Sequence, residues 1–365
     1  MTAILFLSDV TVMEQMAASL DLLSRPKPGI NLALQGGGAH GAFTWGVLDR
    51  LLEEDRFPVD GVSGTSAGAV NAVALAIGLA EGGPEGAREK LAKIWDGVST
   101  RFDALRPGPR KMLEEAGSQG QEDVATHLLM GLISRIYSPY DLDIFDFDPL
   151  RDVLVENLDF DRLRDPEVAR VIIAATEVST GKPHYFRNEN IDVETVLASA
   201  CLPTLRKAVQ IGEHHYWDGG FSSNPPILPL VRESEAEDTV LVKLDPTQKP
   251  DLPTKAQEIA ARVSNLAFGQ PLRSEIKTIE ELRHTSRMGG LFSRPEDRRV
   301  IRHRFHMIDA GEHTLMLGHT TKLTPYRELL EDLRDRGRST AEAWLRDDAD
   351  SVGDASSLDL TTLTE

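Results

Sequence analysis

Twice between residues 30 and 80 a short apolar run ends in a tight turn and gives way at once to a helical pattern. The segment from Ile30 to Gln35 reads as a buried strand stopping at Gly36, Gly37 and Gly38. After Gly41, Val47, Leu48, Leu51 and Leu52 fall on one helix face, with Asp49, Arg50 and Glu53 on the other. Val59 to Gly64 reads as a second strand, and Thr65 to Ala80 as a helix apolar on every side and therefore buried. Strand, turn and helix repeated in this order restrict the chain to a parallel α/β sheet covered by helices.

Further strands are expected at Arg170–Val178, at Lys182–Phe186 as its hairpin partner across Ser179-Thr180-Gly181, at Thr239–Pro246 and at Arg304–Ala310. Residues 82–148 are less regular, broken by Gly82-Gly83-Pro84, but Val124, Leu128, Leu129, Leu132, Ile133 and Ile136 trace one side of a helix within them. Thr324 with Pro325 should open a helix, and Ser339 with Glu342 has the form of a capping box before a last short helix carrying Trp344. The acidic, small-residue tail from Arg346 reads as disordered. The expected organisation is an extension over 1–28, an α/β domain over 29–325, and C-terminal helices with the tail over 326–365.

Lys and Arg number 40 against 58 Asp and Glu, a net charge of −18, which argues against a protein that coats nucleic acid. A single cysteine, Cys201, excludes an internal disulfide and fits a reducing compartment. The amino terminus has no basic residue before its apolar run and Asp9 and Glu14 close behind it, so neither a signal peptide nor an anchor is expected. Thr65 to Ala80 falls short of the roughly 20 residues that span a bilayer. The reading is a soluble, cytoplasmic protein.

Three motifs can carry chemistry. Gly64-Thr65-Ser66-Ala67-Gly68 joins the second strand to the buried helix, and its glycines allow a turn tight enough to lift the Ser66 hydroxyl at a helix amino terminus; a plain small-residue helix start is the bland alternative. Gly36-Gly37-Gly38-Ala39-His40-Gly41 stacks amides that can converge on an oxyanion or a phosphate. This run also matches the dinucleotide fingerprint with Asp60 beyond it, but Asp60 begins its strand, whereas the ribose-binding acid ends one. Asp218-Gly219-Gly220 is either a carboxylate fixed and desolvated on a glycine turn or an ordinary Asp-Gly hairpin. No histidine has a defensible catalytic signature, and His303, His306, His313 and His319 lack metal-ligand spacing, so neither a metal nor a cofactor is expected.

Taken in order, GGGAHG, GTSAG, ASACLP at 198–203 and DGG, the chain from about Ile30 to Ile227 resembles the patatin-like phospholipase family. The resemblance implies a three-layer α/β/α sandwich with a mainly parallel central sheet. It implies a lipid acyl hydrolase working through a Ser-Asp dyad and an acyl-enzyme, without a catalytic histidine. By matching motif positions Ser66 would be the nucleophile and Asp218 the base. Amides of Gly36, Gly37 and Gly38 would form the oxyanion hole, Gly37 and Gly38 foremost, supported by His40, Gly41, Gly64, Gly68, Gly219 and Gly220. The partner implied is a lipid or fatty-acyl ester, met at a membrane or lipid surface by peripheral contact.

His40 departs from the family, many of whose members carry Arg or Lys there; the ring either helps hold an anion or packs in the turn. Val124–Tyr137 is a candidate lid, or else a helix packed on the core. Arg283–Arg304 holds seven arginines against Glu296 and Asp297, either a patch for anionic lipid or a solvated, paired face. A non-catalytic lipid-binding module on the same fold is the alternative from another class.

Overall fold

In the computed structural model, residues 29–104, 148–246, 252–287, 294–315, 317 and 319–364 are described; the candidate lid at Val124–Tyr137 lies outside them. The strands are β1 (Ile30–Leu34), β2 (Val59–Thr65), β3 (Arg170–Glu177), β4 (Pro183–Arg187), β5 (Val209–Ile211), β6 (His214–Asp218), β7 (Asp238–Lys243) and β8 (Arg304–Asp309). The main helices are α1 (Gly41–Glu54), α2 (Ala67–Ala104), α3 (Pro149–Asn157), α4 (Val193–Ser199), α5 (Ile227–Glu233), α6 (Ala256–Arg287), α7 (Pro295–Arg302) and α8 (Arg327–Asp347).

One sheet runs in the order β5-β6-β3-β2-β1-β7-β8, with β4 on the far side of β3. The pairs from β3 through β8 are parallel, while β4, β5 and β6 run antiparallel at one end. The buried strands alternate between two cores, as a period of two requires. Leu32, Leu34, Val171, Ile173, Val240 and Val242 pack with α1, α2 and α8 on one face. Ala33, Ile172 and Leu241 pack with α5, α6 and α7 on the other. The result is a three-layer α/β/α sandwich, as the resemblance implied. Among the described residues no helix is long and apolar enough to cross a membrane.

Three local expectations are corrected. The first helix does end at Gly82-Gly83, where Gly83 has φ +63°, but the segment after it is not irregular: Pro84 opens a second helix that folds back on the first, with Ala87 against Gly78 and with Ala87, Leu91, Ile94 and Trp95 buried. Ser339 caps nothing. It lies inside one continuous helix, α8, donating its hydroxyl to the Asp335 carbonyl, because Leu330, Leu333, Ala341 and Trp344 form a single buried stripe across it. The tail is also ordered along the sheet. Leu360 and Leu363 enter the α6-side core, Leu358 donates its amide to the Phe305 carbonyl at 3.0 Å, and Ser356 accepts the Phe305 amide at 3.1 Å. The composition rule for disorder counts charge overall, and three well-placed leucines outweighed it.

Candidate active site

Parallel strands leave their carboxyl ends on one edge of the sheet, and the loops after β1 and β2 open there. Ser66 follows β2 directly and has φ +55°, a left-handed conformation for a residue with a side chain. The two flanking glycines make that turn possible. A Cβ on Gly64 would stand 2.2 Å from the Gly68 carbonyl oxygen, and one on Gly68 2.2 Å from the Leu34 oxygen. The Ser66 amide donates to Ser199 Oγ at 2.9 Å, so the ASACLP segment braces the elbow from α4.

β3 brings the distant aspartate to this turn. It pairs with β2 through Ala174, which faces Thr65, and with β6 through Ala175, which faces Asp218. β4 occupies the other edge of β3, so β6 continues the line of β2 beyond its end. Consecutive positions of one strand thus place the residue before Ser66 next to Asp218. The Asp218 amide donates to the Cys201 carbonyl at 2.8 Å, and the Thr176 hydroxyl donates to the Asp218 carbonyl at 2.8 Å, fixing the backbone on both sides.

The Asp218 side chain is buried, with 1% exposure. Its Oδ1 accepts the Gly220 amide at 2.8 Å. Burial pushes its pKa up to about 7, against smaller downward pulls from the Gly220 amide and the Ser66 hydroxyl. The serine hydroxyl is near enough to pull this carboxyl's pKa down, while Oδ2 has no hydrogen-bond partner. GTSAG and DGG therefore meet although about 150 residues separate them. Cys201 is buried, and desolvation holds its thiol up at about 12, a state suited to packing and not to nucleophilic attack.

The glycine loop is partly committed elsewhere. The Gly36 amide donates to Asn224 Oδ1 at 2.7 Å, which corrects its expected place among the oxyanion donors, since a donor held this way is not aimed at a substrate oxygen. Gly38 has φ +58°, and its α-carbon lies so close to the Lys322 carbonyl that a Cβ would come within 2.2 Å of it. His40 is buried, and its Nε2 lies 2.8 Å from Thr321 Oγ1, so the ring braces the 319–323 turn behind the loop. Gly41 sits against Ala67, and Gly219 against the Ala174 carbonyl, closing the two turns onto the sheet.

The other singled-out residues lie away from this edge. Asp60 accepts the Glu235 and Ala236 amides at 2.6 and 2.9 Å at the opposite end of the sheet. The arginine-rich stretch also leads into the beginning of β8. There Arg304 pairs with Asp238, Arg299 with Glu235, and the Arg283 guanidinium lies over the Phe305 ring at 5.2 Å. Sequence reading missed Ser199 and Asn224 as supports, and Phe268, whose carbonyl accepts from Asn224 Nδ2 at 3.2 Å. ASACLP marked the segment of Ser199 but not its role, and nothing local marked Asn224 or Phe268, because each acts through a contact more than 40 positions away.

The family model of patatin-like phospholipases matches residues 32–231, more than half the chain. A cGAMP-activated phospholipase of Escherichia coli (strain TW11681) is 27% identical over 247 residues; the match spans 60% of this chain and 60% of that protein. Among solved structures, VipD from Legionella pneumophila aligns over 88% of this chain and 67% of its own, at 17% identity and a TM-score of 0.43. The type III effector ExoU aligns over 88% and 54%, at 18% identity and a TM-score of 0.34. On the family match, which contains both the glycine loop and the aspartate turn, the chain belongs to the patatin-like phospholipase family.

Proposed function

We propose that the chain is a lipid acyl hydrolase of the phospholipase A or esterase type, using Ser66 as nucleophile and Asp218 as the sole base. The observation that carries this reading is the buried Asp218 carboxylate, poised at about 7 beside a serine held at a left-handed turn. A carboxylate at its ordinary pKa is a weak base; one raised to near neutrality by desolvation can take a hydroxyl proton at the pH of a cell. Asp218 accepts the Ser66 proton as the hydroxyl oxygen attacks the ester carbonyl. The amides of Gly37 and Gly38 stabilise the anion, and the proton passes to the departing alcohol as the acyl-serine forms. Water then attacks the acyl group, giving its proton to the same carboxylate, and the fatty acid leaves as Ser66 recovers its hydrogen.

The test is a pair of variants assayed on a fatty-acyl nitrophenyl ester and with a fluorophosphonate probe. Ser66→Ala should abolish labelling and hydrolysis. Asp218→Asn should abolish hydrolysis with the fold intact by circular dichroism. Turnover retained in either variant rejects the dyad, and failure of the native chain to react with the probe favours the non-catalytic lipid-binding module.

A further inference from the structure

α6 changes character halfway along. In its first half the exposed positions are Ala256, Glu258, Ile259, Ala260, Val263, Leu266, Ala267 and Gln270, mostly apolar, with Ile259, Val263 and Leu266 exposed by 45, 62 and 44%. Beyond Pro271 the same face carries Ser274, Lys277, Glu281 and His284, an ordinary solvated surface. Leu252, just ahead of the helix, is 85% exposed. The helix cannot roll to hide the apolar half. Glu275 accepts from Ser223 Oγ and from the Ile227 and Leu228 amides, each at 2.8 Å, and Leu272, Ile276 and Ile279 fill the core beneath.

This face is continuous with the candidate active site. α6 follows β7 and so begins at the sheet edge where Ser66 lies. The Phe268 ring packs on Phe221, itself 40% exposed, at 4.7 Å, and fills the space a Cβ on Gly220 would need. Gly220 is the residue whose amide holds Asp218.

We infer that the amino-terminal half of α6 lies in the interface of a phospholipid bilayer with anionic lipid, its apolar stripe among the acyl chains beside the Ser66–Asp218 site. The inference rests on the hydrolase reading for the nature of the lipid. Charge agrees with it: Leu252–Arg273 carries Lys255, Arg262 and Arg273 against Glu258 alone, a net positive segment in a chain of −18. A second copy of the chain fits less well, since the stripe is confined to the first half of one helix and gives way beyond Pro271 to Ser274, Lys277, Glu281 and His284, whereas a stable interface needs roughly 800 Å² per partner. In the arginine-rich stretch Arg299 and Arg304 are already paired, with Glu235 and Asp238, at the other end of the sheet.

The experiment uses the intact chain with vesicles of phosphatidylcholine containing phosphatidylglycerol, and in parallel a short-chain nitrophenyl ester in free solution. Val263→Asp should lower vesicle co-sedimentation and vesicle hydrolysis by about tenfold or more while leaving hydrolysis of the soluble ester unchanged; Lys277→Asp, on the polar half, should leave all three unchanged. Val263→Trp should add a blue-shifted emission component when vesicles are present. Wild-type binding by Val263→Asp, absence of the emission shift, or a fall in native mass by light scattering for Val263→Asp would overturn the inference, the last in favour of a dimer. Loss of soluble-ester hydrolysis in the native chain would instead sink the hydrolase reading, with vesicle binding still reporting on α6.

Discussion

Two aspartates, each 1% exposed and each ending or beginning a strand, have opposite fates. Asp218 closes β6 at the site edge; Asp238 opens β7 at the far end. Burial pushes both carboxyls upward. At Asp238 hydrogen bonds from His306 and from Arg304, with the Gly353 amide and the Arg304 charge, overcome that push and hold it well below the usual carboxylate range. Asp218 has one amide and one hydroxyl, and stays high. Two carboxyls equally closed to solvent thus part ways: Asp238, with many partners, is a structural anion, whereas Asp218, more deeply desolvated and with few partners, is a proton acceptor.

The comparison can be broken most severely at the site. Asp218→Asn should reduce kcat by about a thousandfold or more, within the range seen for loss of a general base, and steady-state kinetics on a soluble ester will read it. Asp238→Ala should leave activity per folded molecule unchanged but strand Arg304 and His306, costing on the order of 3–5 kcal/mol in urea denaturation.

Proton linkage separates the two by sign. Asp218 has a folded pKa above its unfolded value near 3.9, so it lowers stability progressively between about pH 4 and 7 and by a constant amount above. Asp218→Asn should thus stabilise the chain at pH 8, by up to about 4 kcal/mol, and do nothing at pH 4. Asp238 is depressed, so its contribution is present above the unfolded pKa and is lost as pH falls through the folded one. In the native enzyme kcat/KM should climb with pH and level off above about 7, following Asp218. The smallest effect is expected from Asn224→Ala, which releases the Gly36 amide and should cost about 1 kcal/mol of transition-state positioning, read as a fall in kcat with KM little changed.

Much of this arrangement was legible in the chain. The strands at Ile30, Val59, Arg170, Asp238 and Arg304 and the helices at Gly41 and Ala67 follow from apolar spacing and glycine placement, which are local properties. Ser66 and Asp218 were marked by glycines whose bare α-carbons the turns require. Less was legible wherever burial depended on a remote surface. Ser339 looks like a cap until α8 is laid on α1, and the tail looks disordered until Leu360 and Leu363 find the α6 core.

Sequence alone determined which segments can be strand or helix and which turns only glycine permits, because each depends on neighbours within a few positions. Tertiary structure decided the rest: that β3 sets Asp218 beside Ser66, that Asn224 claims the Gly36 amide, that Arg299 and Arg304 pair at the far end of the sheet, and that half of α6 keeps its apolar side in the open. Those are contacts between parts of the chain far apart in order, and the chemistry of a buried carboxylate depends on the groups such contacts bring to it.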